Sequence, residues 1–217
     1  MKGRAPRLTT TFWLLAMSLV ASGPAITQDQ EPEPSNPPGE EVPADDPAPE
    51  SRRSRLAALG APGKYHEYLA AGIGSWELTI QVWRTPDGEP VVSAGKAEAH
   101  WILENRFVET SYEGEILGHP FEARSVEGYD NQAKEYVSTW RDTMGTYTMT
   151  FRGDCDEECQ VRTVSAEITD PVSGQKLTNK RVTTVVNENS YTYESYIVTP
   201  SGAEFKNMEL VAQRRAP

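Results

Sequence analysis

The stretch Gly74-Ser75-Trp76-Glu77-Leu78-Thr79-Ile80-Gln81-Val82 decides the fold. Trp76, Leu78, Ile80 and Val82 alternate with Glu77, Thr79 and Gln81, the period of two that a half-buried strand requires. Pro86-Asp87-Gly88 then supplies a turn. The next strands are expected over Ser93–Glu104 and Arg106–Glu113, joined tightly at Asn105. Turn signals follow at Leu117-Gly118, Tyr129-Asp130-Asn131, Thr143-Met144-Gly145, Gly153–Glu158, Asp170–Gly174, Asn187–Asn189 and Pro200-Ser201-Gly202. The segments between them are rich in Tyr, Thr, Val, Trp and Phe, the residues that fit a pleated surface. Upstream, Tyr65, Tyr68 and Leu69 fall at helical spacing, and Gly72 and Gly74 end that helix. The pattern predicts an all-β antiparallel up-and-down barrel of about ten strands with a short N-terminal helix.

Working outward, composition separates the chain into segments. Of 16 prolines, 8 lie from Pro24 to Pro49, while 17 of 19 aromatics lie from Tyr65 onward. Lys2, Arg4 and Arg7 precede the apolar run Phe12–Ala21, and small residues follow it. That order predicts a signal peptide over residues 1–25, with an apolar run too short for a bilayer span. Residues 26–50 carry eight acidic side chains and no basic one. Such a segment cannot bury enough apolar area to offset its ordering entropy. A disordered acidic, Pro-rich tether is therefore expected over residues 26–63, ending in the basic cluster Arg52, Arg53 and Arg55. The barrel domain is expected over residues 64–217, in a periplasmic or secreted protein with no stable membrane span once mature. That domain has 15 Lys+Arg against 24 Asp+Glu, a charge of −9 within a chain total of −11. Like-sign charge argues against nucleic acid and anionic lipid as partners.

Several strands lack a clean apolar face. Tyr136, Ser138 and Trp140 lie opposite Val137, Thr139 and Arg141, while Leu177, Asn179 and Arg181 lie opposite Thr178, Lys180 and Val182. A solid sandwich needs a uniformly apolar inner face, whereas a closed barrel tolerates a partly polar cavity. A small hydrophobic or amphipathic ligand is the partner such a cavity would take. His100, Glu109, Arg124, Tyr136, Trp140 and Arg181 are the candidate ligand-binding residues, being polar or aromatic groups among large apolar neighbours.

At Gly74-Ser75-Trp76 the sequence resembles the opening strand of calycin-type, lipocalin-like barrels. The wider pattern is similar to the bacterial domain-of-unknown-function family 1579. It includes Trp101-Ile102-Leu103, Arg106-Phe107, Tyr112-Glu113-Gly114, Gly128-Tyr129-Asp130-Asn131, Tyr136–Trp140 and Glu204-Phe205-Lys206. The resemblance spans about Tyr65 to Arg214 and implies a barrel without an established activity. In calycins an arginine of the last strand lies across the Gly-x-Trp indole. Here the resemblance assigns structural roles to Gly74, Trp76 and Arg214, with Arg215 as the alternate. Nitrobindin-like barrels hold haem through a late-strand histidine, and no histidine follows His119 here.

Chemistry-bearing motifs are few. His66, His100 and His119 stand at no metal-ligand spacing, so neither metal nor cofactor is expected. No Gly-x-Ser-x-Gly elbow or phosphate loop occurs. Cys155 and Cys159 flank a hairpin tip, which in an exported protein favours a disulfide. The reading that follows is a non-catalytic ligand-binding barrel. Two alternatives are an enzyme built on the cavity, and an envelope interaction module using Trp83.

Overall fold

The computed structural model describes residues 49–216. The signal-peptide reading and residues 26–48 of the tether lie outside them. Within the stretch expected as tether, Pro49–Gly60 forms a helix, α1. Proline is tolerated in a helix's first turn, and Ala57, Ala58 and Leu59 are strong helix formers ended by Gly60. No apolar stripe announced it, because Leu56 and Leu59 both stay exposed. Instead its C-terminal end is held through main-chain carbonyls. Asn131 Nδ2 donates to Leu59 O at 3.0 Å and Ala61 O at 2.8 Å, and Arg106 Nε donates to Gly60 O at 2.9 Å.

The expected N-terminal helix is a short α-helix, α2 (Lys64–Glu67), continued by a 3-10 turn over Tyr68–Gly72. His66 is buried, and its Nδ1 accepts the Gly63 N–H at 3.1 Å. Burial holds this imidazole below its ordinary pKa, which keeps Nδ1 free to accept.

Ten strands follow: β1 (Gly74–Val82), β2 (Val91–Ile102), β3 (Phe107–Ile116), β4 (His119–Asp130), β5 (Glu135–Asp142), β6 (Met149–Cys155), β7 (Val161–Thr169), β8 (Lys176–Asn187), β9 (Ser190–Val198) and β10 (Glu204–Arg214). Each pairs antiparallel with the next, and β10 pairs with β1 to close the barrel. Closure leaves no free sheet edge, so every strand's main-chain ladder is satisfied on both sides.

Trp76 fixes the inward row. It pairs with Arg214 on one side and Ala97 on the other, and the row continues through Tyr112 and Ala123. Alternation then places Trp76, Leu78, Ile80 and Val82 inside on β1, and Tyr191, Tyr193 and Ser195 inside on β9. Between β2 and β3 the close approach is glycine's doing. Gly95 pairs with Gly114, and a Cβ on either would sit 2.9 Å or less from partner-strand backbone.

The capped end carries α2 and the 3-10 turn over a core of Leu69, Val108, Tyr129, Tyr136, Phe151 and Val164. There Tyr136 OH donates to Tyr65 O at 2.8 Å and lies 3.1 Å from Cys159 Sγ. Cys155 and Cys159 are joined at disulfide distance, with Cα atoms 4.9 Å apart. The other apolar cluster gathers Trp76, Leu78, Ile80, Phe121 and Leu210 along one wall. Among the described residues no helix is long and apolar enough to cross a membrane.

Candidate functional site

The barrel interior is built in three tiers. Farthest from the helices is an open apolar chamber of about 350 Å³. Leu78, Ile80, Ile116, Phe121, Met208 and Leu210 supply much of its wall, and Met144 and Tyr147 of the β5–β6 loop stand at its mouth. Nearest the helices is a polar chamber of about 120 Å³, walled by Thr110, Ser125, Ser138, Thr183 and the 3-10 turn. Tyr112, Trp140, Arg181, Tyr191 and Tyr193 line both, so they form the constriction between the chambers.

Arg181 is the centre of that constriction. β8 points it inward because it pairs with Val164 on β7 and Ser195 on β9, both inward positions. Its guanidinium carbon lies 3.7 Å from the Phe151 ring centre, 4.7 Å from Trp140 and 5.7 Å from Tyr193. These faces offset part of the cost of burying the charge. Arg181 Nε donates to Asn179 Oδ1 at 3.1 Å, and Asn179 Nδ2 donates to Ser195 Oγ at 2.8 Å. That chain fixes the plane of the guanidinium. No other hydrogen bond and no ion pair reaches it from the described residues. A cation only 9% exposed thus keeps its terminal nitrogens unpaired.

Trp140 is positioned by the carboxylate of Asp142. Nε1 donates to Asp142 Oδ2 at 2.6 Å, and Asp142 Oδ1 accepts the Met144 N–H at 2.9 Å. The indole packs against Tyr112 at 5.2 Å between ring centres. Burial pushes the phenols of Tyr112, Tyr191 and Tyr193 above their ordinary pKa, so all three remain protonated donors.

In the polar chamber Glu127 and Arg162 form a two-pronged ion pair. Arg162 Nε lies 2.9 Å from one carboxylate oxygen, and Nη2 lies 3.1 Å from the other. The same guanidinium sits 5.0 Å from the Tyr136 ring centre. The pair is charge-neutral, so the charges lining the chambers without an ion pair among the described residues are Arg181 and Asp142, whose carboxylate accepts only the neutral N–H groups of Trp140 and Met144.

Of the six candidate residues, the barrel turns three inward. Trp140 and Arg181 line both chambers, while Tyr136 is buried at the capped end with its hydroxyl already engaged. His100, Glu109 and Arg124 point outward, so the cavity does not include them. On β2 the inward row is Ala97, Ala99 and Trp101, which turns His100 outside to face Glu109 at 3.5 Å. On β4 Ala123 and Ser125 point inward, and Arg124 donates to Ala123 O instead. Residues that the sequence did not single out include Asn179, Phe151, Tyr193, Asp142 and the Glu127–Arg162 pair. Asn179 and Tyr193 were reachable by stepping two residues along a strand from a known inward position. Glu127 and Arg162 were not, because their strands, β4 and β7, are not neighbours in the sheet.

At the capped end Arg214 lies across Trp76, its guanidinium carbon 4.2 Å from the ring. It donates to Ile73 O at 2.6 Å, Glu188 O at 2.9 Å and Ala71 O at 3.3 Å. Trp76 Nε1 donates to Gly72 O at 2.9 Å. Gly74, at φ +118°, is needed here, since a Cβ would lie 2.6 Å from Arg214 Nη1. The alternate, Arg215, lies at the surface 3.8 Å from Glu98. Trp83 is half-buried with the Lys206 ammonium 5.2 Å from its ring centre. Among the described residues no three His, Cys, Asp or Glu side chains converge as a metal site.

Solved structures are similar to this chain at low sequence identity. Rv2717c from M. tuberculosis is 11% identical, with TM-score 0.53, over 72% of this chain and 100% of that one. The S-type phycobiliprotein lyase CPES from Guillardia theta is 9% identical, with TM-score 0.48, over 70% of this chain and 92% of that one. No curated protein matches the sequence. The model of the family described as "Protein of unknown function (DUF1579)" matches residues 61–214, and the chain belongs to that family.

Proposed function

We propose that this protein is an exported, non-catalytic barrel that binds a small amphipathic anion, tail in the open chamber and charge on Arg181. The observation that carries this reading is the Arg181 guanidinium at the floor of an apolar chamber, with one hydrogen bond, to Asn179, and no ion pair among the described residues. A buried charge without a partner is costly, and an anionic ligand supplies the missing partner. The chamber's volume of about 350 Å³ suits a tail of about ten to twelve carbons. A non-catalytic role is supported by the chemistry around Arg181. The neighbouring phenols hold their protons, and the nearest interior carboxylates are tied to Trp140 and Arg162. Export is supported by the Cys155–Cys159 pair, since such links persist in oxidising compartments.

Native mass spectrometry of protein secreted from its own host tests the reading. The expected spectrum shows a bound mass that leaves on mild activation and ionises as an amphipathic anion. Protein that is bare, and stays bare after incubation with dodecanoate, would overturn the proposal.

A further inference from the structure

Resting on that reading, we infer that the ligand's charged group is not its end: a hydroxylated cap continues past Arg181 into the polar chamber. The ligand class is a monoanionic amphiphile with neutral, hydroxyl-bearing atoms beyond the charge.

Three observations lead there. First, the two chambers share Tyr112, Trp140, Arg181, Tyr191 and Tyr193 as a common wall, with the polar one on the side away from the mouth. A tail that fills the open chamber with its charge at Arg181 directs whatever follows the charge into the polar chamber. Second, the hydroxyls of Ser138, Thr183 and Tyr191 line that chamber and make no hydrogen bond within the described residues. None of the three is a fully buried unsatisfied group, so each is open to water or to a polar occupant of the chamber, and a hydroxylated one would give them direct partners. Third, Glu127 neutralises Arg162, so the chamber adds hydrogen-bonding capacity but no net charge. One negative charge is therefore matched at Arg181, and the cap is neutral. The volume of about 120 Å³ equals that of about four waters, enough for a three-carbon polyol.

A bare fatty acid satisfies Arg181 but leaves these hydroxyls to water alone. A phosphodiester with a glycerol end satisfies both, its phosphate lying on the guanidinium.

Two synthetic probes of equal charge and chain length separate the cases: dodecyl glyceryl phosphate and dodecyl propyl phosphate, titrated calorimetrically. The glyceryl diester is expected to bind at least 10-fold more tightly. In the double variant Ser138→Ala with Thr183→Val, that preference is expected to collapse to less than 3-fold, with propyl affinity retained. Equal affinities in the native protein would overturn the inference. So would a preference for glyceryl that survives in the double variant. In both cases binding of dodecanoate would leave the carrier reading standing. If dodecanoate fails to bind, the carrier reading itself falls.

Discussion

Arg181→Met is expected to weaken binding of dodecanoate about 100-fold while leaving the protein as stable as before or more so. The affinity loss is the removal of a charge-assisted contact at the floor of an apolar-walled chamber, about 2.7 kcal/mol for that factor. The stability argument runs the other way. Arg181 is buried, carries no ion pair among the described residues, and makes one hydrogen bond, to Asn179. Methionine keeps an unbranched stem beside Phe151 and Trp140 and relieves the desolvated charge. Leaving Asn179 Oδ1 without its donor opposes this by about 1 kcal/mol. A residue kept for packing would behave oppositely, with stability falling and affinity unchanged. Urea titration alongside calorimetry distinguishes the two outcomes.

Arg214→Ala is expected to destabilise the barrel by about 3 kcal/mol, lowering Tm by roughly 6–12 °C. Arg214 closes the capped end by donating to carbonyls on two segments, Ala71–Ile73 ahead of β1 and Glu188 in the β8–β9 turn. It also covers the Trp76 indole, a contact worth about 0.5–2 kcal/mol. Lysine cannot span these acceptors with one ammonium, so Arg214→Lys should recover only part of the loss. Arg215→Ala is the control. Its surface pairing with Glu98 predicts a change within about 0.5 kcal/mol. An unchanged Tm in Arg214→Ala would remove the closing role argued for that residue.

The barrel was legible because its connections are short and its first strand alternates cleanly. Once Trp76 points inward, the pairing register carries that assignment from strand to strand, to Ala97, Tyr112 and Ala123. Trp140 and Arg181, which line the cavity, stand out in the sequence because both faces of their strands hold large or polar residues, which a filled core would avoid. The same test misassigned the placement of His100, Glu109 and Arg124. Ala99, Ala123 and Ser125 beside His100 and Arg124 are small, and Glu109 lies between Val108 and Thr110, so large apolar residues nearby do not say which row faces in. Bulges between Lys206 and Met208, and between Val185 and Asn187, shift the register without a sequence signal. Helix α1 was hidden for a different reason. It is anchored by Arg106 and Asn131 reaching its last carbonyls, not by an apolar stripe.

The central claim is that the barrel is hollow and that Arg181, between its two chambers, selects an anion. Paired calorimetric titrations with dodecanoate and dodecyltrimethylammonium, equal in tail and opposite in charge, test it most directly. The expected result is saturable one-to-one binding of dodecanoate and no saturable binding of the cation. Equal binding of both, or of neither, would contradict the account.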